Sequence, residues 1–164
     1  VIDYVTDFLI EYAKLMIDNG ATVISVGDPT ATGEILGPKM FEEYAVRYLN
    51  KLIHGIRSFR SFNTPVIVHI CGDINPVKHL IPKIESEAIS TDAMVNLSLL
   101  KEEFPSLTTM GNLSTYLLQF GTPDKISTQT RRLIKAGIDI ISPACGLSTS
   151  SSLANIQAMT NTVK

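Results

Sequence analysis

The chain has 164 residues, 45% of them hydrophobic and 18% charged, with a formal net charge of −2. That balance suits a globular domain with a substantial core and offers no basic stripe for nucleic acid, no apolar run near the ~18 residues of a membrane span, and no signal-peptide pattern. Two cysteines 74 positions apart make no disulfide framework, which points to a reducing, cytoplasmic compartment.

Residues 1–19 carry Val5, Phe8, Leu9, Tyr12, Leu15 and Met16 at helical spacing, and Asn19-Gly20 closes the helix. Residues 21–26 form a short β-branched run stopped by Gly27-Asp28-Pro29. A loop to Gly37-Pro38 leads into an amphipathic helix over 39–59, with Tyr44, Tyr48, Leu49 and Leu52 as its buried stripe. Residues 65–71 read as a strand, and Asn75-Pro76 begins a helix that runs to residue 85. A weaker strand over 88–93 precedes a short helix over 97–104. The strand over 107–111 ends in Gly111-Asn112. Thr122-Pro123 opens a helix over 124–136, closed by Gly137; residues 138–142 are the last strand and 152–163 the last helix. No tandem repeat is present, and low complexity is confined to the serine-rich stretch 148–152.

Strands alternating with helices predict an α/β fold with a parallel sheet and right-handed crossovers. An open doubly wound sheet and part of a (β/α)8 barrel both meet that description. No Gly-x-Gly-x-x-Gly turn follows the first strand, which removes the main dinucleotide-binding signal. Each strand instead ends on a polar or ligand-type residue: Asp28, His69 with Cys71, Asp92, Asn112 and Cys145. Such residues converge at the C-terminal face of a barrel. A whole barrel needs eight strands and about 250 residues. Five strands, beginning at Val1 rather than a methionine, lead us to expect a single domain that is one portion of a barrel.

His69-Ile70-Cys71 closes the apolar run Pro65-Val66-Ile67-Val68. Side chains two apart on a strand share a face, so an imidazole and a thiol are presented together at a strand end. Cys145, in Ser142-Pro143-Ala144-Cys145-Gly146, offers a third soft ligand from another strand end. Three such ligands suit zinc and leave a fourth position open. The plainer reading is that both cysteines are core residues, as free cysteine often is. Asp28 reads equally as a substrate-side carboxylate and as a loop cap, and Asn112 as a substrate contact or a partner for loop amides. Asp73 is a turn former or a partner for His69. His54 and His79, both on helices, read as structural or surface residues.

These residues carry a resemblance along essentially the whole chain. Asp28-Pro29, Gly37-Pro38-Lys39-Met40-Phe41-Glu42-Glu43, His69-Ile70-Cys71-Gly72-Asp73, Gly111-Asn112-Leu113-Ser114-Thr115, Gly121-Thr122-Pro123, Ser142-Pro143-Ala144-Cys145-Gly146 and the segment from Leu153 to Met159 resemble the C-terminal part of the uroporphyrinogen decarboxylase superfamily. Within it, His-x-Cys followed by a Cys-Gly loop is similar to the cobalamin-dependent methyltransferases, whose zinc ligands would be His69, Cys71 and Cys145 here. The resemblance implies methyl transfer from a methylated corrinoid protein to a zinc-activated thiol such as coenzyme M. It places an acidic residue at Asp92 that fills the fourth zinc position until the thiol arrives, and it puts Asp28 at the barrel mouth. Two other readings stay open: a tetrapyrrole decarboxylase of the same superfamily, and a half-barrel that keeps the ligands but is catalytically incomplete and associates with itself.

Overall fold

Five parallel strands form one sheet in sequential order in the computed structural model, which describes residues 1–59 and 64–164. The strands are β1 (Ile24–Asp28), β2 (Val66–Ile70), β3 (Ala88–Thr91), β4 (Thr109–Leu113) and β5 (Ile140–Pro143). Each strand pairs in parallel with its neighbour in sequence. That order has no reversal, so right-handed crossovers stack every connection on one face. A doubly wound sheet would switch direction. The sheet is therefore an arc of a TIM-type (β/α)8 barrel, with helices outside and the other face toward the barrel interior.

Burial along the strands follows this division. Val66, Val68 and Ile70 of β2 are fully buried against the helices, while Ile67 and His69 alternate toward the open face. The core packs Phe41, Ile53, Ile56, Ile74, Ile81 and Ile89 around that buried row. A smaller cluster of Leu113, Leu118, Ile126 and Met159 closes the far end.

The connections are α1 (Ile2–Asp18), α2 (Gly33–Met40), α3 (Arg47–Arg57), α4 (Leu97–Glu103), α5 (Thr115–Phe120), α6 (Pro123–Lys135) and α7 (Leu153–Val163). A π-helical stretch, Phe41–Val46, joins α2 to α3, and a 3-10 helix, Asn75–Lys83, follows β2. The helix expected from residue 39 begins at Gly33, where the Thr32 side chain accepts from Ile35 N–H at 3.2 Å. It breaks at Gly37, whose φ of 63° relieves the restriction Pro38 places on its predecessor. The segment after β2 is 3-10 rather than the expected helix. Pro82 sits inside it and has no N–H for a regular ladder. Of the expected stripe, Leu49 and Leu52 are buried and Tyr44 is exposed.

β1 runs two residues past the expected end because Gly27 and Asp28 pair with His69 and Ile70. An existing ladder outweighs their poor strand propensity. Helix α1 buries Thr6 and Ala13, and turns Val5, Phe8, Tyr12 and Leu15 to solvent.

Candidate metal centre

The strand pattern places the first two ligands. His69 is on the open face of β2, and Cys71, the first residue beyond the strand, keeps the same alternation. His69 Nε2 lies 3.2 Å from Cys71 Sγ. Gly72 then turns the chain at φ 75°, and a Cβ there would come within 2.9 Å of the Thr32 methyl. The third ligand arrives from the far side of the sheet. Ala144 N–H donates to the Leu113 carbonyl at 2.8 Å, which seats the loop after β5, and Cys145 Sγ lies 3.6 Å from Cys71 Sγ. Among the described residues, His69, Cys71 and Cys145 are the group whose ligand atoms all fall within 4.8 Å of one another.

Those separations suit a metal ion. Tetrahedral zinc, with bonds of ~2.3 Å to sulfur and ~2.0 Å to nitrogen, sets two sulfurs about 3.8 Å apart and nitrogen about 3.5 Å from sulfur. The observed 3.6 Å and 3.2 Å lie within a few tenths of an ångström of those edges. Both cysteines are free thiols, and Cys145 is exposed.

Burial pushes the Cys71 thiol up to about 11, reinforced by its contact with Cys145 and by the charges of Cys145, Asp92 and Asp28. Burial lowers the His69 value, with the Asp92 charge opposing it. Metal-free, the site therefore keeps its imidazole neutral and the Cys71 thiol protonated near neutrality. A neutral imidazole is already a ligand, whereas a thiol must lose its proton to become one.

The remaining expected residues sit around this trio in different ways. Asp92 follows β3 and lies outside the ligand group. Its Oδ1 accepts from Met94 N–H at 3.1 Å and its Oδ2 from Gly72 N–H at 3.4 Å. Asp28 Oδ1 caps its own loop, accepting from Thr30 N–H, the Thr30 hydroxyl and Ala31 N–H. Asn112 Nδ2 donates to the carbonyls of Asp92 and Val95, fastening the loop after β3 to β4. Asp73 is a turn former. Its Oδ1 accepts from Asn75 N–H and Asn75 Nδ2, and it has no contact with His69. His54 is exposed and pairs with Glu85 at 2.8 Å, and His79 is also exposed.

The partner that sequence reasoning missed is Ser90. It stands beside His69 in the β2–β3 register, and its Oγ lies 3.0 Å from His69 Nδ1. His69, Ser90 and Cys145 border an open depression of about 330 Å³ on the inner face, lined also by Gly27, Ile67, Met110, Ser142 and Pro143. No helix among the described residues is long and apolar enough to cross a membrane.

The uroporphyrinogen decarboxylase family model matches residues 1–164. Methylcobamide:CoM methyltransferase MtbA of Methanosarcina acetivorans is 29% identical over all of this chain and 48% of its own length. The methylated-thiol–coenzyme M methyltransferase of Methanosarcina mazei is 27% identical over 99% of the chain and 43% of its own. The uroporphyrinogen decarboxylase of Geotalea uraniireducens is 27% identical over 82% of the chain. A solved methyltransferase from Methanosarcina mazei superposes with a TM-score of 0.88 at 28% identity, covering 98% of this chain and 47% of that one. The chain spans about half the length of the curated relatives it matches.

Proposed function

The chain belongs to the uroporphyrinogen decarboxylase family, and from that premise we propose that it is the C-terminal part of a zinc-dependent methyltransferase. The donor is a methylated corrinoid protein and the acceptor a small thiol such as coenzyme M. The observation that carries this reading is the convergence of His69, Cys71 and Cys145 within 4.8 Å. A decarboxylase of the family has no evident use for two thiols and an imidazole at one point. The relatives named as methylcobamide:CoM methyltransferases cover the full chain or nearly so, whereas the decarboxylase of Geotalea uraniireducens matches 82%.

His69, Cys71 and Cys145 would hold the zinc. Bound there, zinc supplies the acidity that converts an incoming thiol to a thiolate at neutral pH. Two cysteine ligands add negative charge, which keeps that acceptor electron-rich.

Asp92 would offer its carboxylate to the ion in the absence of a thiol. Its charge already bears on both His69 and Cys71, and its 3.4 Å contact with Gly72 N–H is long for a hydrogen bond, so little is lost if it turns away. Asp28 and Asn112 are assigned to substrate binding. All three donors to Asp28 use Oδ1, which leaves Oδ2 without a protein partner among the described residues. Asn112 spends its amide protons on the loop, and among the described residues no hydrogen bond reaches its Oδ1. The corrinoid protein docks over the strand ends, where Cys71 and Cys145 follow β2 and β5. Two free thiols in the site suit a reducing cytoplasm.

Incubation of the protein with zinc, methylcobalamin and coenzyme M tests the reading. Appearance of S-methyl-coenzyme M that depends on zinc and is lost in Cys71→Ser supports it. Turnover of a tetrapyrrole carboxylate without metal would favour the decarboxylase instead. Zinc binding without either reaction would mark these 164 residues as a catalytically incomplete half-barrel.

A further inference from the structure

We infer that Ser90 is a positioning residue for the metal centre: its hydroxyl holds the His69 imidazole so that Nε2 faces Cys71 and Cys145. The inference deepens the metal reading above and rests on it.

A strand fixes the Cβ of His69 but leaves the ring free to turn about its side-chain bonds. Packing does not stop it here, because His69 sits on the open face beside a depression of about 330 Å³. Two polar contacts hold the ring, and Ser90 supplies the one on Nδ1. Ser90 is 4% exposed, is paired with His69 in the strand register, and presents Oγ 3.0 Å from Nδ1. The other ring nitrogen then lies 3.2 Å from Cys71 Sγ. Turning the ring over about Cβ–Cγ would put ring carbons where the nitrogens stand and break both contacts. Among the described residues, His69 is the hydrogen-bond partner of the Ser90 hydroxyl, so the serine has no competing structural duty.

A hydroxyl suits this post because it both donates and accepts. With the Nε2 lone pair committed to a metal, Nδ1 would carry the proton and donate its N–H to Ser90 Oγ. In the metal-free site the hydroxyl can rotate and donate to Nδ1, while Nε2–H points to Cys71 Sγ. Ser90 therefore keeps one ring orientation through both states without moving its own heavy atoms. Partners on the outer nitrogen of a metal-binding histidine typically change metal affinity about 10- to 100-fold when removed. Ser142 provides a matched control. It lines the same depression, but its hydroxyl donates to the Pro143 carbonyl at 3.1 Å and has no contact with the imidazole.

The test combines zinc affinity with nitrogen NMR of the imidazole, recorded on the metal-free protein at a pH where His69 is neutral. Ser90→Ala should weaken zinc about 10- to 100-fold, Ser90→Thr should restore it, and Ser142→Ala should leave it unchanged. Metal-free wild type should give one pyrrole-type and one pyridine-type His69 nitrogen, and Ser90→Ala should move both toward the averaged shifts of free histidine. Averaged shifts in the wild type itself would overturn the inference even if the alanine variant fails to fold. Equal zinc affinity and equal shifts in wild type and Ser90→Ala would also overturn it, with the metal reading intact. Resolved shifts lost in Ser90→Ala, in a wild type that binds no zinc, would uphold the positioning role while defeating the metal reading.

Discussion

Gly72 carries the backbone at φ 75° one residue after Cys71, a conformation that costs a side-chain-bearing residue about 1–3 kcal/mol. Its Cβ would also meet Thr32 at 2.9 Å. Gly72→Ala should therefore lower stability by about that amount and weaken zinc binding, because relief of the clash displaces Cys71. Gly137, at φ 77° with open space around it, isolates the backbone cost. Gly137→Ala should destabilise similarly in a denaturant titration and leave zinc affinity alone. Equal affinity in the two variants would show that Gly72 has no role in placing the ligand. His69 and Cys71 were legible as a pair because strand alternation is a local property. Cys145 was legible as a third soft ligand because it follows another strand end, and the family resemblance put it in the same set; Ser90 was illegible. Its partnership depends on the register between β2 and β3, which no local pattern in either strand states.

At the level of elements, single polar side chains join neighbours that the sheet alone does not fix. Asp139, just before β5, accepts from Thr109 N–H, the Thr109 hydroxyl and Lys101 Nζ, all at 2.8 Å. Burial works against its charge, but the Lys101 and Thr109 hydrogen bonds prevail and hold the carboxyl down at about 2. The unfolded chain, near 3.8, then binds the proton first. Asp139 contributes stability that is complete above 3.8 and is lost as pH falls through about 2. Denaturation measured between about pH 5 and pH 2 should show wild type losing stability faster than Asp139→Asn. Parallel slopes would contradict the pinning role. Asn155, 2% exposed, donates to the carbonyls of Leu118 and Gly121 and so ties α7 to the end of α5. Asn155→Ala strands two carbonyls and should cost about 1–3 kcal/mol in the same assay. Helix α5 itself was not foreseen. Its six residues are too few for a periodic signal, and it depends on Ser114, which accepts from Leu117 N–H at 3.3 Å.

Across the whole molecule, the parallel α/β class was foreseeable from alternating strands and helices, and the barrel order from the polar residue at each strand end and the family resemblance. The uncovered face of α1 was not, since an apolar helical period says nothing about what lies opposite. Phe8, Tyr12 and Leu15 are each more than half exposed. As an isolated polypeptide, these residues should associate with themselves through that face, giving a mass by light scattering that rises with concentration and falls in Phe8→Lys with Tyr12→Lys. A monomer at low micromolar concentration would contradict this. The metal centre also belongs to this scale, because β2 and β5 reach it from opposite sides of β3 and β4. Zinc content by plasma mass spectrometry, on the reduced, folded chain and on Cys145→Ser, tests the central claim most directly. The account predicts about one zinc per chain in the wild type, lost or sharply weakened in the variant. A folded wild type that takes up no zinc would contradict it.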